Sequence, residues 1–98
     1  VTTQANPIAV FSKDPGAELD YTMDWQQWMP PQDRIVNVTW TISPAGTLLN
    51  AANSFSTTDT TIWLSAGTDG LTYDVTCEIT TNEGRIDDRT FRVEVVNR

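Results

Sequence analysis

Apolar and polar residues alternate with a period of two along most of the chain. Leu19, Tyr21, Met23 and Trp25 are separated by Asp20, Thr22 and Asp24, the pattern of a strand that buries one face and wets the other. The same alternation puts Val36, Val38, Trp40 and Ile42 on one face of a second segment. Tyr73, Val75, Cys77 and Ile79 share a face of a third, and Phe91, Val93 and Val95 a face of a fourth. Shorter strands are expected over residues 8–11, near Leu48, and over residues 60–64, where Ile62 and Leu64 share a face and Trp63 takes the other. No segment sustains a 3.6-residue period. A short helical turn is the expectation for residues 47–52, whose Leu-Leu-Asn-Ala-Ala run tolerates helix best.

The breaks between these segments carry turn chemistry. Asp14-Pro15-Gly16, Met29-Pro30-Pro31, Ser43-Pro44-Ala45-Gly46 and Asp69-Gly70 separate the apolar runs. Asn82-Glu83-Gly84 lies between two alternating strands and reads as a short hairpin loop, with Gly84 or Asn82 at positive φ. About seven short strands in a chain of this size predict an all-β fold, an immunoglobulin-like Greek-key β-sandwich formed by residues 1–98 as a single domain. Trp40 stands where such sandwiches bury a tryptophan. Tyr73, following Asp69-Gly70-Leu71-Thr72, is placed to form a tyrosine corner, its hydroxyl bonded to backbone upstream. Val75 holds the position where antibody domains carry a disulfide cysteine, so packing alone is expected to hold the sheets together.

Composition narrows the chemistry. The 98 residues include no histidine and a single cysteine, and 13 acidic against 6 basic residues give a net charge of −7. Without histidine the usual general base and commonest metal ligand are gone. One cysteine makes neither an internal disulfide nor a thiolate zinc site. The acidic balance, with no Lys/Arg cluster to neutralise phosphates, argues against nucleic acid as a partner. No apolar run approaches the ~20 residues of a membrane span, and residues 1–4 have none of the marks of a signal peptide. No cofactor is expected, and no catalytic set of residues stands at motif spacing.

The remaining candidates are surfaces. Asp14, Glu18, Asp20 and Asp24 cluster in sequence without a calcium-loop spacing and are expected to form a solvated acidic face. Asn37-Val38-Thr39 matches a glycosylation triplet but lies within a strand, and is discounted. Cys77 points inward as a small core residue. Arg85, Asp87, Asp88 and Arg89 alternate in sign at the start of the last strand and form either a docking surface or an internal pairing of Arg89 with Asp20 or Asp24. Trp40 is expected in the core and Trp25 half-buried. Trp28, in a Pro-rich loop, and Trp63, on an outward face, are either interface anchors or covered by folded-back loops. Trp28, Trp63, Arg85, Asp87, Asp88 and Arg89 are therefore the candidate protein-binding residues.

Several segments also carry a resemblance. Lys13-Asp14-Pro15, Leu19-Asp20-Tyr21 and Asp24-Trp25-Gln26-Gln27-Trp28 are followed by Thr61-Ile62-Trp63-Leu64-Ser65-Ala66-Gly67, Tyr73-Asp74-Val75-Thr76 and Gly84-Arg85-Ile86-Asp87-Asp88-Arg89-Thr90. In this order and spacing they resemble a family of small proteins of tailed bacteriophages, described as fibre–tail adaptors or head-decoration proteins. The resemblance implies a non-enzymatic virion component, made in the host bacterial cytoplasm and present in several copies. Its implied partners are other virion proteins (tail, fibre or capsid subunits), with no nucleic acid and no membrane. A carbohydrate-binding module using Trp25, Trp28 and Trp63 as a stacking platform is the competing reading.

Overall fold

The computed structural model describes residues 9–97; Ile8 of the first expected strand, and residues 1–4, lie outside them. The alternating segments become seven strands: β1 (Val10–Lys13), β2 (Leu19–Asp24), β3 (Ile35–Ser43), β4 (Leu48–Phe55), β5 (Asp59–Ala66), β6 (Thr72–Thr81) and β7 (Ile86–Val95). They form two packed sheets, one ordered β1-β7-β6-β3 and the other β2-β5-β4. All pairs are antiparallel except β1 with β7, where Val10 stands opposite Arg92 and Lys13 opposite Val95. The architecture is all-β, and this strand order is compatible with an immunoglobulin-like Greek key.

The core lies between the sheets and is built from the inward half of each alternation. Ile62 and Leu64 of β5 meet Tyr73 and Val75 of β6 and Phe91, Val93 and Val95 of β7. Toward one end, Trp25, Met29, Ile35, Cys77 and Ile79 make a second buried cluster, and Met23 and Trp40 pack against both. Each fully buried large side chain contributes about 1.5–3 kcal/mol. At the β1–β2 side, Phe11, Tyr21 and Phe91 close the gap between sheets with ring centroids 5.1–5.6 Å apart.

Turn chemistry behaves as expected at the Thr81–Arg85 hairpin. Gly84 takes φ of 90°, and the Gly84 N–H donates to the Thr81 carbonyl at 3.0 Å. The tyrosine corner is present. The Thr68 N–H donates to the Tyr73 hydroxyl at 2.9 Å, and the Tyr73 and Thr47 hydroxyls are hydrogen-bonded.

Two expectations fail at the edges of the sheets. Ile35 pairs with Thr81 but Asn37 pairs with Thr80, so a bulge resets the alternation of β3. Ile35 is buried and Val36, expected inside, is 44% exposed; an extra residue in one strand turns its neighbours to the other face. The Thr47–Ala52 segment is not helical. Leu48 onward pairs with β5 from Ala66 to Thr60, and this ladder satisfies more backbone than one helical turn could, overriding the local propensity.

Candidate docking surfaces

Trp25 organises one end of the sandwich. It follows β2 directly, where the chain turns across the end of the sheets, and it is fully buried, not half-buried as the alternation alone had implied. Its backbone N–H donates to the Thr58 carbonyl at 2.8 Å and its indole N–H to Thr60 Oγ1 at 3.0 Å. The same Thr60 oxygen accepts the Cys77 thiol at 3.4 Å. Burial pushes that thiol up to about 11, only partly offset by the Thr60 bond and the Arg89 charge. Trp28 meets the Trp25 ring edge-on, with centroids 5.8 Å apart, and is half-buried.

The Arg85, Asp87, Asp88 and Arg89 segment starts at this same end but does not act as one patch. Arg89 places its guanidinium 4.2 Å above the Trp25 ring and donates to the Asp24 carbonyl at 3.0 Å. Of the two internal partners considered for it, Asp24 is therefore the one reached, through its backbone oxygen and across to the other sheet. The Asp24 carboxylate instead accepts the Gln26 N–H at 2.9 Å. Arg85 bridges Asp33 at 3.0 Å and Glu83 at 2.9 Å. Asp87 is half-buried and accepts the Asp88 N–H at 2.9 Å, while Asp88 is exposed.

Asp33 was not legible as a site residue. It is a buried carboxylate that accepts the Arg34 and Glu83 N–H groups at 2.9 and 3.2 Å, besides Arg85. Burial alone would raise its pKa. The hydrogen bonds from the Thr81 side chain, the two backbone N–H groups and Arg85 outweigh that and hold it below the ordinary carboxylate range. Together they pin the β6–β7 hairpin to the segment entering β3.

Trp63 lies elsewhere. It projects from the outer face of the three-stranded sheet, 40% exposed, opposite Asp20 on one side and Ala52 on the other. Leu49 of β4 is 50% exposed, opposite Ser65, two residues along β5 from Trp63, and so shares that face. The Thr22 and Thr61 hydroxyls, hydrogen-bonded at 2.9 Å, continue the face toward the Trp25 end. Since Trp25 is buried and Trp63 sits on a different surface from Trp28, the three tryptophans do not form one stacking platform.

At the opposite end, Lys13 is buried and donates to the carbonyls of Ala66 at 2.6 Å and Asp14 at 2.9 Å. Desolvation lowers its pKa, opposed by Asp14 and Glu18. The Asp14 carboxylate accepts the Gly16 N–H at 2.8 Å. Among the described residues, no three acidic or cysteine side chains are grouped so as to hold a metal ion.

The family model of podophage GP4 fiber-tail adaptor protein gp77 matches residues 13–94. The chain belongs to this family. The match opens at the buried Lys13 and runs to Glu94, taking in β2 to β6 whole and nearly all of β7. It therefore spans the Trp25 end, the Asp33 clamp and the Trp63 face alike. Family membership places the chain among phage structural proteins, as the sequence resemblance implied. No curated protein matches it.

Proposed function

We propose that this protein is a non-enzymatic adaptor in a podophage virion, joining a fibre to the tail by rigid docking of two distinct surfaces. The family match over residues 13–94 carries the reading. One surface is the outer face of the β2-β5-β4 sheet, with Trp63 and Leu49 as apolar anchors and Asp20 at the rim. Aromatic anchors surrounded by polar groups are how small interfaces concentrate their affinity. The other is the Trp25 end, where half-buried Trp28 and exposed Asp88 flank a clamped, pre-organised hairpin. Here Arg85 and Arg89 act as positioning residues, since their guanidinium groups already serve internal partners. Rigid presentation lowers the ordering cost of association.

The acidic surface keeps free copies apart before assembly and directs the protein toward protein partners in place of packaged DNA. Several copies per particle fit a part that repeats around a tail. The experiment is co-purification of the full chain with the tail and fibre proteins of the same phage. Binding to one or both, lost on Trp63→Ala with the fold intact, is the expected result. Binding to neither overturns the adaptor reading.

A further inference from the structure

The two outer faces of the sandwich treat their acidic residues differently. On the four-stranded sheet, Arg92 stands opposite Asp74 and bridges it at 2.9 Å. The strands of the other sheet carry Asp20, Asp24 and Asp59 and no Lys or Arg. The remaining cations of the described residues serve other groups. Arg85 is held by Asp33 and Glu83, Arg34 by Asn82, Arg89 by Trp25 and the Asp24 carbonyl, and Lys13 by two backbone carbonyls. Among the described residues, none of the three carboxylates on β2 and β5 pairs with a cation.

Register places these groups on one surface. Asp20 stands opposite Trp63, Thr22 opposite Thr61 and Asp24 opposite Asp59, and residues two apart along a strand share a face. Opposed residues of an antiparallel pair have Cβ atoms roughly 4.5–5.5 Å apart, so the Asp20 carboxylate and the Trp63 indole rise side by side. Ala52, opposite Trp63 on the other side, is too small to cover the ring, which stays exposed. Asp24 and Asp59 set like charges against each other, an arrangement that costs stability. Asp20 and Asp24, four residues apart along a strand, are separated by roughly 13 Å, too far to share one metal ion.

An anion beside an open aromatic ring selects its ligand. A planar guanidinium lies on an indole face and donates two N–H groups to a carboxylate at once, which an ammonium does not. The molecule already holds one contact of this kind, where Arg89 lies 4.2 Å over Trp25 and donates to the Asp24 carbonyl. On the outer face the ring and the anion are in place, and no described residue supplies the cation. The four-stranded face has acidic residues of its own, Glu78 opposite Asp88, but among the described residues no exposed aromatic ring stands with them.

We infer that Trp63 and Asp20 together receive an arginine side chain of the docking partner, stacked on the indole and bridged to the carboxylate. Asp24 and Asp59, farther along the same face, take a second basic residue and are relieved of their mutual repulsion. The inference rests on the adaptor reading for where the partner comes from, and it specifies the partner's chemistry: an arginine-bearing protein surface.

The test uses a blocked peptide, Gly-Arg-Thr-Arg-Thr-Arg-Gly, whose arginines share one side of an extended strand. It is titrated at low ionic strength into the isotope-labelled full chain and followed by amide NMR shifts. Saturable shifts centred on β2 and β5 are expected, weakening with salt. Asp20→Asn and Trp63→Leu should each weaken binding at least about threefold. Glu78→Gln, which removes the same charge from the other outer face, should leave it unchanged. The lysine peptide should bind more weakly, and the uncharged citrulline peptide should give no saturable shift. The proposal is overturned if the arginine peptide gives no saturable shift, if Asp20→Asn and Glu78→Gln weaken it equally, if Trp63→Leu retains full affinity, or if the lysine or citrulline peptide binds as well. The peptide needs no virion protein, so these outcomes are separate from co-purification, which alone decides the adaptor reading.

Discussion

Arg89 lies over Trp25 with its guanidinium 4.2 Å from the ring centroid, reaching from the four-stranded sheet to the carbonyl of Asp24 at the end of the other. This contact stitches the two sheets at the end that the family match includes. Removing it in Arg89→Ala should cost about 0.5–2 kcal/mol, the range of a cation over a tryptophan face. Arg89→Lys should recover part of that. Urea unfolding followed by tryptophan emission is the measurement.

Asp33 predicts an acid limb in the stability profile. Its folded pKa is lowered because hydrogen bonds from Thr81, Arg34, Glu83 and Arg85 outweigh the upward push of burial. The stabilisation is therefore fully present above the unfolded aspartate value of about 3.9 and is lost as pH falls through the lower folded value. Asp33→Asn should flatten that limb and lower stability at neutral pH, with hydrogen exchange rising first in the Thr81–Arg85 hairpin. A melting series from neutral to strongly acidic pH on both proteins checks this.

Gly67 and Gly84 separate two causes of strain. Both have positive φ, at 101° and 90°. A Cβ on Gly67 would stand 2.8 Å from Val95 Cγ2, whereas one on Gly84 would meet nothing within 4 Å. Gly84→Ala should cost on the order of 1 kcal/mol, for the backbone alone. Gly67→Ala should cost more, because it also disturbs the core at Val95. Thermal melts of the two variants distinguish the cases.

Cys77 should be silent while the protein is folded. Its thiol is buried and pushed up to about 11, and the thiolate is the reactive form. A thiol reagent at pH 8 should leave the native protein unmodified and react with one equivalent in denaturant. Reaction at comparable rates in both conditions would contradict the packing described for Thr60, Trp25 and Cys77.

The sequence discloses the parts of this fold that obey strict alternation. The outward Trp63 between Ile62 and Leu64, the Tyr73 corner and the Gly84 hairpin follow from period and turn chemistry alone. What it conceals lies where one residue breaks register. The β3 bulge exchanges Ile35 for Val36 without any glycine or proline to announce it. β4 hides because Leu-Leu-Asn-Ala-Ala has no alternation, and no alternation is needed in a strand exposed on both faces. The candidate docking residues were legible by type but not by partner. Arg85 and Arg89 read as a surface cluster because Asp33 and Trp25, which hold them, are distant in sequence and meet them only through the fold. Trp28 and Trp63 both retain exposed surface, yet they look out from different sides.

The most direct test of the adaptor account is a map of neighbours within purified virions of the phage that carries this sequence, by cryo-electron microscopy or cross-linking mass spectrometry. The account predicts this chain at the junction of fibre and tail, in several copies, with the outer face around Trp63 covered by one neighbour and the Trp28 end by another. Purified particles that lack the chain, or that carry it with both surfaces bare, would contradict it.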